Sequence, residues 1–124
     1  MIPKMKIALL LFFLFAGTAQ AQMVATTDGV SVHYEVYGKG PVSLVFIHGG
    51  FCDSDYWAYQ MGPFSKNFKV VLVDLPGHGA SEGDRSHWSV ARFGRDINEM
   101  IRALNLKNVI LVGHSLGGVV AAEA

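Results

Sequence analysis

A short apolar run, Val109-Ile110-Leu111-Val112, leads without a break into Gly113-His114-Ser115-Leu116-Gly117. The run is mostly β-branched, as a strand buried on both faces should be. Beyond the serine, Leu116 to Ala124 reads as the start of a helix, with Val119, Val120 and three alanines. A chain that passes from buried strand to helix across one serine must turn sharply there. A serine hydroxyl is a poor nucleophile at neutral pH and has to be exposed to substrate and to a base. A strained strand-to-helix turn achieves that exposure, and it needs small neighbours. Gly113 and Gly117 supply them two residues either side of Ser115, and Gly118 is expected to give further room for helix packing. The helix start also directs N–H groups and a partial positive charge toward the serine.

Val42-Ser43-Leu44-Val45-Phe46-Ile47 is a second buried-strand candidate, and it runs into His48-Gly49-Gly50-Phe51. A glycine pair directly after a strand lets the backbone fold back and aim N–H groups into a pocket. Acyl transfer needs two such donors for its developing oxyanion. The N–H of Leu116 and that of Gly50 are the candidates, with Phe51 next in line. His48 leads a glycine turn and reads as a residue that fixes this loop by hydrogen bonds, not as a base. His114 adjoins Ser115 and is expected to point away from it. A third loop, Asp74-Leu75-Pro76-Gly77-His78-Gly79-Ala80-Ser81, follows the strand-like Lys69 to Val73. It reads as a tight connection stabilised by Asp74 and Ser81 side-chain bonds, with a pocket wall as the functional alternative.

In this order and spacing the three motifs resemble the N-terminal half of an α/β-hydrolase, over roughly Val24 to Ala124. The resemblance implies an α/β fold whose sheet starts antiparallel and becomes parallel, with flanking helices. It implies Ser115 as nucleophile, in the esterase- and lipase-like branch, with Gly50 and Leu116 as oxyanion donors. A serine at the elbow argues against the haloalkane dehalogenase and epoxide hydrolase branches, which place an aspartate there. The family's acid and histidine follow the nucleophile in chain order. After Ser115 this sequence has one acidic residue, Glu123, in the expected helix, and no histidine. His33, His48, His78, His87 and His114 all precede or adjoin the elbow. The expectation is therefore that base and acid lie beyond residue 124, and that these residues are part of a longer reading frame.

Met1 to Ala21 has the pattern of an export signal. Lys4 and Lys6 form a basic start, Ile7 to Ala16 is an apolar run of ten residues, and Ala19-Gln20-Ala21 is a small-x-small cleavage site. A helix of that length is too short for a bilayer, which needs about twenty residues. The expectation is an exported protein, periplasmic or secreted, with Gln22 as the mature N-terminus and no stable membrane anchor. The alternative is a retained anchor. Loss of the leader removes two of the ten basic residues and none of the ten acidic ones, leaving a net charge of −2. With no basic run and no base-stacking motif, a nucleic-acid partner is not indicated. The single Cys52 has no base placed for it and reads as a small half-buried residue. No Cys/His spacing suggests a metal, and no cofactor is expected.

Elsewhere, Val24 to Thr27 and Val30 to Tyr37 read as a hairpin around Asp28-Gly29, with His33 and Glu35 on a wetter face. Asp53 to Gln60 looks helical, capped by Asp53 or Ser54. Ser89 to Leu104 is the clearest helix, with Val90, Phe93, Ile97, Ile101 and Leu104 on one face and Asn105 as its stop. Arg92, Arg95, Asp96, Glu99 and Arg102 are expected to be solvated.

The leading functional expectation is a serine hydrolase acting on a small carboxylic ester, thioester or lactone through an acyl-enzyme on Ser115. Activity is expected of the longer protein, not of these residues alone. C–C bond hydrolysis, acyl transfer and cofactor-free perhydrolysis use the same elbow. A non-catalytic binding module on the scaffold and an inactive fragment are the readings from other classes.

Overall fold

The computed structural model describes residues 22–124. The expected leader, residues 1–21, lies outside the described residues. The chain forms β1 (Gln22–Ala25), β2 (Ser31–Tyr37), β3 (Ser43–Ile47), a 3-10 turn (Ser54–Trp57), α1 (Ala58–Phe64), β4 (Lys69–Val73), α2 (Val90–Ala103), β5 (Val109–Gly113) and α3 (Leu116–Glu123). The sheet order is β1-β2-β4-β3-β5. β1 with β2 and β2 with β4 pair antiparallel, whereas β3 pairs parallel with β4 and with β5. An antiparallel start that becomes parallel is the architecture anticipated from the motifs.

Period-two alternation divides β3 and β4 between two cores. Val45, Ile47, Val71 and Val73 face α2 and α3, packing with Phe93, Ile97, Met100 and Val120. Leu44, Phe46, Val70 and Leu72 face the other side, where Trp57 covers them. Both strands are buried on both faces, which is why they read as unbroken apolar runs.

The helix signals work as local chemistry dictates. Ser89 Oγ accepts the Arg92 N–H at the start of α2. At its end Asn105 adopts φ +49, and the N–H groups of Asn105 and Leu106 return to the carbonyls of Arg102 and Ile101. That is a Schellman stop with asparagine in the left-handed position. Asp53 caps the 3-10 turn by accepting the Asp55 N–H. The expected helix at Asp53 to Gln60 instead starts as this 3-10 turn and runs on to Phe64. The extension carries the Phe64 ring to within 5.8 Å of Phe46 and 6.3 Å of Phe68.

Two surface expectations are corrected. His33 is buried, because it faces Asp74 rather than water, while Val36 on the supposed inner face is exposed. Asp96 on α2 is also buried, in an ion pair with Arg85. Arg85 belongs to the long β4–α2 connection, so nothing in the helical periodicity announced its partner.

Candidate active site

β4 and β5 lie on opposite sides of β3, so the chain reverses its winding at β3. Open α/β sheets bind ligands beyond the carboxyl ends of strands at such a point. The His48–Phe51 loop leaves the end of β3 there, and Ser115 leaves the end of β5. The two ends are tied together by His114 N–H donating to Ile47 C=O at 3.1 Å.

Ser115 has φ +52 and ψ −118. A non-glycine residue held in the left-handed half of the map stores strain, about 1–3 kcal/mol. Among the described residues, the non-glycine residues with positive φ are Phe51, Asn105, Asn108 and Ser115. Asparagine tolerates that region; phenylalanine and serine do not. Both strained residues of the less tolerant types therefore sit in these two loops.

The glycines explain how the elbow is accommodated. A Cβ on Gly113 would fall on the Gly117 carbonyl, and one on Gly117 would fall on the Ile47 carbonyl. Gly118 differs from expectation: its Cβ would meet only the Gly113 carbonyl oxygen at an ordinary 3.6 Å. Steric need is confined to the two glycines nearest the turn.

Ser115 is exposed and makes no capping bond with its side chain, although it is the N-cap of α3. Gly117 N–H turns back to His114 C=O at 2.8 Å and Gly118 N–H to Ser115 C=O at 2.9 Å. Leu116 N–H is left without a backbone acceptor among the described residues. On the facing loop, Cys52 N–H closes a turn onto Gly49 C=O at 3.3 Å, which makes Gly50 and Phe51 its central residues, with no acceptor for their N–H groups among the described residues. A Cβ on Gly50 would lie 3.7 Å from Leu116 Cδ2, and one on Gly49 would lie 3.3 Å from Ser115 Cβ. Ser115, Gly50 and Leu116 are thus neighbours across the β3–β5 crevice.

His48 is fully buried. Its Nδ1 lies 2.7 Å from Gly49 C=O, and Leu75 N–H donates to Nε2 at 3.0 Å. This arrangement requires the tautomer protonated at Nδ1. Burial holds the ring below the usual imidazole pKa, in spite of the Gly49 carbonyl that favours the cation. His48 fastens the loop and has no free nitrogen for proton transfer.

Asp74 is the corresponding anchor of the third loop. Its carboxylate accepts Ser54 N–H at 2.6 Å and Ala80 N–H at 2.9 Å, and lies 3.0 Å from His33 Nδ1. Burial raises its pKa, but these bonds outweigh burial and keep the carboxyl below its ordinary value. Ser81 Oγ donates to Asp74 C=O and accepts His33 N–H. The connection is stabilised as the turn residues suggested. The His33 contact was not legible, because it joins residues 41 apart.

The described histidines are engaged away from Ser115. Besides His33 and His48, His78 approaches Pro76 C=O, His87 bonds Ser86, and His114 stacks on Tyr56 at 4.7 Å between ring centroids. A Cβ on Gly49 would lie 3.1 Å from His114 Nδ1, so this ring sits between Tyr56 and the His48–Phe51 loop. Glu123 lies exposed in α3 beside Gly94. Cys52 is a free, half-buried thiol. Among the described residues no group of three or more His, Cys, Asp or Glu side chains is arranged to hold a metal, and no helix is long and apolar enough to cross a membrane.

Comparison with known proteins agrees with this geometry. Residues 44–124 match the model of the alpha/beta hydrolase family. A dihydrolipoyllysine-residue acetyltransferase component of the acetoin cleaving system from Cupriavidus necator is 34% identical over 105 residues, 85% of this chain and 28% of that protein. Among solved structures, a hydrolase from Pseudomonas aeruginosa superposes with a TM-score of 0.77 at 30% identity, over 83% of this chain and 39% of the other. An esterase from Exiguobacterium antarcticum gives a TM-score of 0.77 at 29% identity, over 82% and 38%. The 124 residues thus correspond to little more than a third of these structures, and less of the acetyltransferase component. With the match over residues 44–124 and the shared sheet, the chain belongs to the alpha/beta hydrolase family.

Proposed function

We propose that Ser115 is the nucleophile of an exported serine hydrolase that cleaves a small carboxylic ester, thioester or lactone. The observation that carries this reading is the strained, exposed Ser115 beside two N–H groups with no acceptor. Its Oγ attacks the substrate carbonyl, and the oxyanion that forms accepts hydrogen bonds from Gly50 and Leu116. Such donors each contribute about 3 kcal/mol to transition-state stabilisation. The proton passes to a histidine oriented by an acid, both supplied from outside these residues. The similarity to an esterase supports the ester assignment. Serine at the elbow also provides the oxygen that an acyl-enzyme requires.

The test is fluorophosphonate labelling of the full-length protein. Wild type is expected to label at one serine and Ser115→Ala to label at none. Equal labelling of the variant would remove Ser115 from the mechanism.

A further inference from the structure

The loops after β3 and β4 border an open cleft of about 630 Å³. Phe51 and Cys52 line one side, Gly77 and Trp88 the other, and Phe93 of α2 contributes as well. Two of these aromatics are not placed as core residues. Phe51 is 105% exposed while its backbone is held at φ +62. The strained backbone turns the Phe51 side chain out of both apolar cores of the described residues.

Trp88 is 46% exposed, yet it is fixed in place. The Arg85 guanidinium lies 5.4 Å from its ring centroid, and the Phe93 ring lies 5.8 Å away. Arg85 does not line the cleft; it is held by Asp96 at 2.7 and 3.0 Å. Gly77 completes the seat, since a Cβ there would come within 3.0 Å of Trp88 Cη2. A buried ion pair and a glycine therefore hold a half-exposed indole at the edge of the cleft.

Ser115 does not line this space; the chain links the two through Phe51. Phe51 directly follows Gly50, which neighbours Leu116, and Gly49, which neighbours Ser115. Phe51 thus sets one lining residue of the cleft next to the Gly50 and Leu116 pair. No lysine or arginine lines the cleft, whereas Asp53 and His78 do. A flat neutral group meets two aromatic side chains there.

We propose that this cleft is a subsite for an uncharged aromatic group of the substrate, and that Phe51 and Trp88 select it. The proposal rests on the serine-hydrolase reading. The aromatic group can belong to the acyl or the alcohol part of the ester, and two substrate pairs separate these sources. Methyl phenylacetate is compared with methyl cyclohexylacetate, and benzyl acetate with cyclohexylmethyl acetate, using the full-length protein.

The expected result is a preference in kcat/KM of about five-fold for the aromatic member of at least one pair, the size of one added aromatic contact. Phe51→Ala and Trp88→Ala should each bring that ratio close to one while fluorophosphonate labelling of Ser115 persists. Phe51→Ala keeps the test decisive, because the Phe51 ring belongs to neither apolar core of the described residues. A ratio near one for both pairs in wild type, or a preference unchanged in both variants, overturns the proposal. If Ser115 fails to label, the hydrolase reading falls by itself, and equilibrium dialysis with 2-naphthol still tests the cleft. Affinity at least about five-fold weaker in both variants supports the subsite, and equal affinity in all three proteins overturns it.

Discussion

Leu75 N–H donates to His48 Nε2 at 3.0 Å, so the loop after β4 is hydrogen-bonded to the loop after β3 through one neutral imidazole. Protonation of Nε2 would remove the acceptor and set two N–H groups against each other. The folded-state pKa of His48 lies below the ordinary imidazole value, chiefly because of burial. The unfolded chain therefore binds this proton more readily than the folded one. Its contribution to stability is fully present above about pH 6.5 and is lost as pH falls from there through the folded pKa. Urea unfolding of wild type should show a midpoint that drops between pH 7.5 and pH 5. His48→Phe should cost about 1–3 kcal/mol at pH 7.5, through the unpaired Leu75 N–H, and should flatten this part of the pH dependence. An undiminished pH slope in the variant would assign it to another group.

Gly117 and Gly118 are adjacent, and the elbow needs only the first of them to lack a side chain. A Cβ on Gly117 meets the Ile47 carbonyl, whereas one on Gly118 has ordinary contacts. Gly117→Ala is expected to destabilise by about 3 kcal/mol, since strand β3 has to shift. Gly118→Ala is expected to be neutral or to stabilise α3 by up to about 1 kcal/mol, because alanine is the better helix former. Thermal unfolding of the two variants side by side distinguishes steric necessity from the mere presence of a glycine pair.

The difference between those glycines marks how far the sequence could be read. The strands β3 and β4 were legible because burial on both faces leaves an unbroken apolar run, whereas β5, expected to be buried on both faces, is only half-buried among the described residues, with Ile110 exposed. The ends of α2 were legible because Ser89 and Asn105 satisfy backbone groups within a few residues. The neighbourhood of Ser115, Gly50 and Leu116 followed from glycine turns placed directly after strands. What stayed hidden depends on contacts between distant segments: His33 with Asp74, Arg85 with Asp96, and Phe51 across from Trp88. A polar residue in an alternating strand or on the polar stripe of a helix looks solvated until the loop that covers it is known.

Arg85 and Asp96 are 3% and 1% exposed and 2.7 Å apart, and Asp28 of the β1–β2 turn joins them. Arg85 Nε lies 3.1 Å from Asp28 Oδ2 but is not aligned for a hydrogen bond. The pair fastens the hairpin turn and the β4–α2 loop to α2. Arg92 Nη2 also lies 3.0 Å from Asp96 Oδ1 and 3.0 Å from Asp28 Oδ1, so removing one member leaves the other with its remaining partner and costs about 1–3 kcal/mol. Asp96→Ala and Arg85→Met should each fall in that range by urea unfolding. The double variant Arg85→Met with Asp96→Leu should be markedly less destabilised than the sum, because the two opposite charges leave together and Arg92 keeps Asp28 and Glu99 as partners. Additive losses would show that the two side chains act independently.

Strand β5 is hydrogen-bonded only to β3 among the described residues. Its outer edge carries unpaired backbone groups beside Ile110, which is 52% exposed, and Val119 of α3 is 55% exposed. A flat apolar strand edge of this kind recruits other strands. The 124-residue chain produced alone is therefore expected to associate and to elute from size exclusion well above a 13.5 kDa monomer. Ile110→Lys should shift the elution toward monomer, because a charge on the edge strand opposes strand addition. Neither form is expected to hydrolyse a nitrophenyl ester, since no described histidine is positioned to take the Ser115 proton. Rapid turnover by a purified monomer of this chain would refute both the need for an external base and the account of the β5 edge.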